Sequence, residues 1–149
     1  MFFPTGASGC HVCPKAVIWA PWNLAMAEHA AISDGADVYN PSPIAIGAFA
    51  MISQGAYLCG ASHDYTSGRF PLTTKPIVVK DHAWVAARAI VQMGVTIGEG
   101  CVIGAGSNVT RDIPPWTGCA GNQCRRLKTY AWFLEHQRAV HVPAVASHE

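Results

Sequence analysis

His63 is the residue whose type and surroundings point most directly to chemistry. Imidazole has an ordinary pKa of about 6.5, so this side chain can accept and return a proton near neutral pH. The polar residues Ser62, Asp64 and Tyr65 are near enough along the chain to help orient the ring. His63 is therefore a candidate general base, with Asp64 as its candidate catalytic partner. A lone histidine is more often structural than catalytic, so both interpretations stay open at this point.

The cysteines offer a second kind of chemistry. Cys10 and Cys13 have the CxxC spacing of zinc and redox sites. A second pair at matching spacing is absent, because Cys119 and Cys124 are five residues apart. We therefore expect free thiols, buried or placed on strands, and no bound metal.

Composition limits the possible partners. The 149 residues are enough for one domain with a sizeable core, only 13% are charged, and the net charge is +1. This balance gives no overall field to attract nucleic acid or an anionic membrane. No apolar run reaches the ~18 residues of a membrane-spanning helix, and the first ten residues lack the features of a signal peptide. We expect a cytoplasmic protein that binds neither nucleic acid nor membrane.

The elements that must position His63 come from a six-residue repeat. Aliphatic residues recur at this period in the second half of the chain, namely Val79, Val85, Val91, Ile97, Ile103 and Val109. A period of six matches neither the helical period of 3.6 nor the period of two of an alternating strand. It suits a short strand followed by a corner. Three such units close a triangular coil, and stacked coils pair as parallel strands about 4.8 Å apart. The repeat predicts an all-β fold, a parallel β-helix, in preference to a sandwich whose strands alternate at period two.

Interruptions of the repeat indicate the other segments. The period stops at Leu58 and resumes at Val79, and the polar stretch between them predicts a protruding loop at about 64–76. Two prolines, Pro114 and Pro115, predict the end of the coils. We therefore expect a β-helix domain over residues 1–115. Residues 116–149 are expected to hold a connector, a short C-terminal α-helix starting near Arg125, and a tail.

Several segments resemble one family of enzymes. They are Gln54–Tyr65 (QGAYLCGASHDY), Lys75–Ile77, Asp81–Ala86 (DHAWVA), Val109–Trp116 (VTRDIPPW) and Ala120–Asn122. Together they are similar to the colanic-acid-type sugar O-acetyltransferases, a group that includes the maltose and galactoside acetyltransferases. The resemblance spans roughly residues 9–128 and implies that the β-helix is left-handed.

The resemblance also implies a reaction and its residues. It implies acetyl transfer from acetyl-CoA to a hydroxyl of a sugar or saccharide precursor, with His63 as the general base and the amide of Ala87 binding the oxyanion. The implied CoA contacts are Trp84, Ala87, Ala105, Thr110 and Arg111. Arg125 is added because four of the ten basic residues fall between 111 and 128, a cluster that suits pairing with phosphates. The candidate acceptor contacts are Asn40, Tyr65 and Arg69, for which an ordinary surface role stays open. This chain departs from the family at Ala87, where serine or glycine is common, and at Gln123, where proline is usual. The family also implies a homotrimer with its sites between subunits.

Three alternatives remain on the sequence alone. The first is N-acetylation of an amino sugar, which needs an amine in place of the hydroxyl. The second is a γ-type carbonic anhydrase, which shares the fold but holds zinc with three histidines. Its HxxxxH spacing occurs here only at His136 and His141. The third is a β-helix scaffold or binding subunit without catalysis, although His63 and the basic residues between 111 and 128 favour an enzyme.

Overall fold

The protein is a parallel β-solenoid with a triangular cross-section. A computed structural model describes residues 7–129. In chain order the elements are β1 (His11–Val12), β2 (Val17–Ile18), a 3-10 helix (Pro21–Asn23), β3 (Leu24–Met26), β4 (Ala31–Ile32), β5 (Asp37–Tyr39), β6 (Ile44–Ile46), β7 (Met51–Ile52), β8 (Tyr57–Cys59), β9 (Ala61–His63), β10 (Leu72–Thr74), β11 (Ile77–Val79), β12 (Trp84–Val85), β13 (Ile90–Gln92), β14 (Thr96–Ile97), β15 (Val102–Ile103), β16 (Asn108–Val109), β17 (Thr117–Ala120) and β18 (Arg125–Thr129).

These strands form three faces. Face A contains β1, β4, β7, β12, β15 and β17, face B contains β2, β5, β8, β13 and β16, and face C contains β3, β6, β11 and β14. Neighbouring strands within each face are parallel, and face B has one strand in each of five coils. The predicted parallel β-helix is confirmed.

The core is made of the repeating aliphatic side chains. The six residues that define the repeat in the second half of the chain are at most 1% exposed, namely Val79, Val85, Val91, Ile97, Ile103 and Val109. Each lies directly above or below its counterpart in the next coil, as Val85 pairs with Ile52 and Ile103. No single coil can bury these side chains alone, so the stacking itself creates the core.

An antiparallel hairpin interrupts the coils at the corner between faces B and C. Strand β9 follows β8 almost at once, and β10 returns alongside it before the chain enters β11. Gly60 forms the base of the hairpin, where a Cβ would lie only 2.6 Å from the carbonyl oxygen of Tyr39. The loop predicted at 64–76 is therefore shorter than expected, because residues 72–74 form a strand.

Between residues 117 and 129, the structure contradicts the predicted connector and the predicted start of a helix. Residues 117–120 add another parallel strand, β17, to face A, and β18 then pairs with it in the antiparallel direction. The segment expected to begin a helix at Arg125 is thus extended as far as Thr129. The rest of the predicted helix and the tail lie outside the described residues. Within residues 7–129, no helix is long and apolar enough to cross a membrane.

Candidate active site

His63 is the last residue of β9, where the hairpin leaves the solenoid. It pairs with Leu72 across the hairpin, and its side chain is exposed. The main-chain amide of Asp64 donates to the carbonyl of Pro71 at 2.9 Å, which closes the loop just beyond the histidine. The hairpin thus holds His63 outside the solenoid but close to its corner.

The imidazole of His63 is oriented by the main chain. Its Nδ1 lies 2.7 Å from the carbonyl oxygen of Phe70. A carbonyl oxygen only accepts, so Nδ1 carries the proton and donates it, which leaves the lone pair on Nε2. With its ring exposed, His63 has the tautomer and access that a general base requires. The sequence gives no sign of this partner, because the acceptor is a main-chain atom seven residues away.

Asp64 stabilises the loop. Its Oδ1 accepts hydrogen bonds from the amide of Thr66 at 2.9 Å and from the Thr66 hydroxyl at 2.6 Å. These bonds, the hydroxyl bond first, hold the pKa of the Asp64 carboxyl below its usual value. Among the described residues, no hydrogen bond joins this carboxylate to His63. The predicted catalytic partner of His63 therefore acts in this structure as a turn-forming residue.

The predicted acceptor contacts differ in what they present. Tyr65 and Arg69 lie in the hairpin loop and are exposed, near His63 in the chain. Asn40 is fully buried, with its Oδ1 accepting from the amide of Ala20 at 2.9 Å and its Nδ2 donating to the carbonyl of Ala20 at 2.7 Å. The prediction of Asn40 as a sugar contact is corrected, because its amide links two coils and has no exposed surface.

Three of the predicted CoA residues, Trp84, Ala87 and Ala105, lie on face A or at the corner between faces A and B. Trp84 is the outward residue of β12, and its indole Nε1–H donates to the Ser53 hydroxyl at 2.8 Å. Ala87 and Ala105 occupy the same corner in successive coils, because the amide of Gly106 donates to the carbonyl of Ala87 at 2.9 Å. Within residues 7–129, the amide of Ala87 donates to no acceptor. That amide is therefore available to a negatively charged oxygen.

The remaining predicted CoA residues lie toward the last coil. Thr110 and Arg111 are exposed just after β16, and the Thr110 hydroxyl accepts from Nε2 of Gln123 at 2.9 Å. Arg125 begins β18 opposite Ala120 and is exposed. Gln123, which departs from the family's proline, thus ties the loop before β18 to Thr110.

Within one chain, the predicted base and two of the predicted CoA residues lie at different corners of the solenoid. His63 lies at the corner between faces B and C, whereas Ala87 and Ala105 lie at the corner between faces A and B. Face B lies between these corners. Within a single chain, His63 and the amide of Ala87 are therefore on opposite edges of this face.

The cysteines form no recognisable metal site. Cys10 donates to the carbonyl of Ala27 at 3.0 Å, and the Cys13 sulfur lies 3.5 Å from Nε2 of His11. All six thiols are free, and in the described part of the chain no three His, Cys, Asp or Glu side chains converge on a metal position. The pair His136 and His141 lies outside that part.

Comparison with known proteins identifies the repeat. Residues 76–111 match the bacterial transferase hexapeptide (six repeats). Residues 76–111 of this chain thus carry a hexapeptide repeat of this kind. It is 40% identical over 109 residues to WcaF, the colanic acid biosynthesis acetyltransferase proposed for Escherichia coli (strain K12), a match that covers 73% of this chain and 60% of WcaF. The chain therefore spans less than two thirds of the length of that relative.

Solved structures of hexapeptide-repeat acetyltransferases have the same fold. VCA0836 of Vibrio cholerae, in complex with acetyl coenzyme A, superposes with a TM-score of 0.79 at 27% identity, over 83% of this chain and 69% of that one. A maltose O-acetyltransferase of Clostridium difficile 630 gives a TM-score of 0.79 at 27% identity, over 85% and 69%. The resemblance found in the sequence is confirmed.

Proposed function

We propose that this hexapeptide-repeat chain catalyses transfer of an acetyl group from acetyl-CoA to a hydroxyl of a sugar or saccharide precursor, with His63 as the general base. The observation that carries the proposal is the imidazole of His63, whose Nδ1 is fixed on the Phe70 carbonyl and whose Nε2 is left exposed. The similarity to WcaF and to the maltose O-acetyltransferase supports the choice of acetyl group and sugar.

The proposed reaction needs one base and one oxyanion site. Nε2 of His63 takes the proton of the acceptor hydroxyl as the oxygen attacks the thioester carbonyl. The tetrahedral oxyanion is bound by a main-chain amide, for which the free amide of Ala87 is the candidate. Collapse breaks the carbon–sulfur bond, and the imidazolium of His63 returns its proton to the departing CoA sulfur. No cysteine nucleophile is needed.

The proposed CoA contacts match the chemistry of that molecule. The flat indole of Trp84 is partly exposed and anchored on Ser53, which suits the apolar pantetheine arm. Ala105 has no bulky side chain to keep the arm from the main chain. Arg111 and Arg125 are exposed cations near the last coil, where they can pair with phosphates, beside the Thr110 hydroxyl.

The separation of the two corners supports a homotrimer. His63 at one edge of face B and the proposed oxyanion and pantetheine contacts Ala87 and Ala105 at the other edge would be brought together by a second copy lying alongside the first. Three copies around an axis would form three equivalent sites, each with His63 from one subunit and Trp84, Ala87 and Ala105 from its neighbour. We propose that arrangement for this protein.

Replacement of His63 tests the proposal. We expect His63→Ala to lower kcat by about 10²–10⁴-fold with little change in the KM for acetyl-CoA, because only proton transfer is removed. His11→Ala, at an exposed histidine on face A, is the matched control. The assay follows CoA release, and mass spectrometry of the product tells an ester from an amide. Near-normal turnover by a folded His63→Ala protein contradicts the role of His63, and an amide product contradicts O-acetylation.

A further inference from the structure

An exposed aromatic side chain is held rigidly at one end of face B. Trp19 is 61% exposed, yet its indole Nε1–H donates to Oδ1 of Asp37 at 3.1 Å. The indole also makes an edge-to-face contact with the ring of Tyr39, with ring centroids 5.2 Å apart and planes at 69°. The amide of Trp19 donates to the carbonyl of Val38 at 3.1 Å. The indole is therefore presented to solvent in one orientation.

This indole lies below the hairpin that carries His63. Registers between β2, β5 and β8 place Trp19, Tyr39 and Cys59 at the same position of three successive coils. The chain runs from Cys59 directly into the hairpin base. Two coil spacings amount to about 10 Å along the axis, and four extended residues reach at most about 13 Å. The main chain at Trp19 thus lies at most about 23 Å from that at His63, a separation that a chain of several sugar rings can span.

The groups around Trp19 suit a sugar. The negative face of an aromatic ring attracts the positively polarised C–H groups on one side of a sugar ring. The Asp37 carboxylate and the hydroxyls of Tyr39 and Tyr57 lie on the same face of the solenoid, where they can bond to sugar hydroxyls. The Tyr57 hydroxyl is a donor at neutral pH, because even an unperturbed phenol has a pKa of about 10. Because the indole is already ordered, stacking would cost little further entropy.

We propose that Trp19 is the stacking platform of an acceptor subsite, and that the acceptor is an oligosaccharide whose acetylated ring lies at His63 while another ring stacks on Trp19. Asp37 and Tyr39 are positioning residues, since each holds the indole. The proposal rests on the proposed function for its orientation toward His63. Sugar stacking on Trp19 can nevertheless be measured without any acetyl transfer.

The first experiment measures binding to the whole protein without acetyl-CoA. The probes are glucose, galactose and their α- and β-linked oligomers of two to five rings. Binding is measured from the shift of the Trp19 indole N–H resonance in NMR spectra. We expect oligomers to bind more tightly than the single sugars. Trp19→Ala should weaken oligomer binding about tenfold, in the range of one aromatic contact. Trp22→Ala is the matched control, because Trp22 is 75% exposed but lines a groove on face C.

The second experiment separates this proposal from the proposed function. With an oligomer that is acetylated, Trp19→Ala should raise its KM about tenfold and leave kcat unchanged, whereas His63→Ala lowers kcat. Three results overturn the subsite: no oligomer in the panel binds better than its single sugar, Trp19→Ala binds as wild type does, or Trp19→Ala alters the sedimentation coefficient. The last result would show that a second copy covers the indole. Oligomer binding without CoA release would contradict only the acetyl transfer.

Discussion

The orientation of His63 depends on a main-chain carbonyl and on the turn that holds this carbonyl in place. Phe70, which supplies the oxygen, has a positive φ of 46° and donates its own amide to the carbonyl of Ser67 at 3.0 Å. The Asp64 carboxylate organises the start of the same loop through Thr66. The basicity required at Nε2 of His63 therefore relies on loop geometry, and any change that loosens the loop should reduce the proton transfer.

Two substitutions of Asp64 distinguish loop support from direct catalysis. We expect Asp64→Asn to keep most of the activity, because an amide oxygen still accepts from Thr66. Asp64→Ala should lower kcat about tenfold, since the turn loses its acceptor and the imidazole loses orientation. Steady-state kinetics with both variants, together with a proteolysis check that the hairpin is intact, provides the measurement. Equal damage from both variants would instead mean that the negative charge takes part in the reaction.

The lowered pKa of Asp64 also determines how the stability of the hairpin turn depends on pH. Its pKa is lowered in the folded protein, so the turn contributes stability above the carboxyl's unfolded pKa. This contribution is lost as the pH falls through the lowered, folded pKa.

The sequence alone was sufficient to identify His63 as a candidate, because a polar segment with a histidine stands out in an apolar repeat. They did not reveal the Phe70 carbonyl, and they misplaced Asn40, because sequence shows a polar side chain but not whether the main chain of another coil already satisfies it.

At the scale of elements, each short strand depends on the coils on either side. Strand β7 has only two residues, yet Ile52 is fully buried and the neighbouring Met51 is about half exposed on the outer surface. Such a strand has no independent stability, and its residues are fixed by pairing with β4 and β12.

The period of six is sufficient to predict these inward positions, because each unit of the repeat turns one aliphatic side chain toward the axis. Strand β18 was missed because Leu127 shares a helical spacing with later aromatics in the sequence, whereas pairing with β17 imposes an extended conformation.

A pair of adjacent substitutions tests this dependence. We expect Ile52→Ala to lower the free energy of unfolding by about 2–5 kcal/mol, because it leaves a cavity in the stack of inward residues. Met51→Ala, one residue away on the outside, should cost less than about 1 kcal/mol. Guanidinium denaturation followed by circular dichroism at equal protein concentration measures both. Comparable losses at the two positions would argue against a core made only by the inward ladder.

At the scale of the whole molecule, the distribution of functional residues over corners determines what one chain can do. His63 lies at one edge of face B and the proposed CoA residues Ala87 and Ala105 lie at the other, whereas Thr110 and Arg111 lie at the His63 edge. Under the proposed function, a single copy therefore displays two incomplete half-sites. The fold predicted from the repeat was correct, but the repeat contains no information on which corners face each other. That depends on how copies pack, and it is set by outward residues that the period does not constrain.

Mixed oligomers test whether two chains build each site. His63→Ala and Ala105→Trp should each be inactive alone, the second because a large ring fills the place of the pantetheine arm. When differently tagged copies are co-expressed and the mixed trimers are isolated, about one in three sites should be active, because each mixed trimer has one interface at which both contributing copies are intact. Oligomers of His63→Ala with a His63→Ala, Ala105→Trp double variant are the control and should stay inactive. Inactive mixed oligomers of normal size would place both halves of the site on one chain.

The antiparallel strand β18 has a consequence for the protein in solution. Without it, β17 would be the open edge of face A, with the same unpaired main-chain groups that each coil uses to receive the next. A second molecule added there would expose the same edge again, which is how fibres grow. Strand β18 covers this edge in the reverse direction and exposes Arg125, Arg126 and Lys128 along its length. On this face, the strand that carries the proposed phosphate contact Arg125 therefore also occupies the edge at which a further parallel coil would pair.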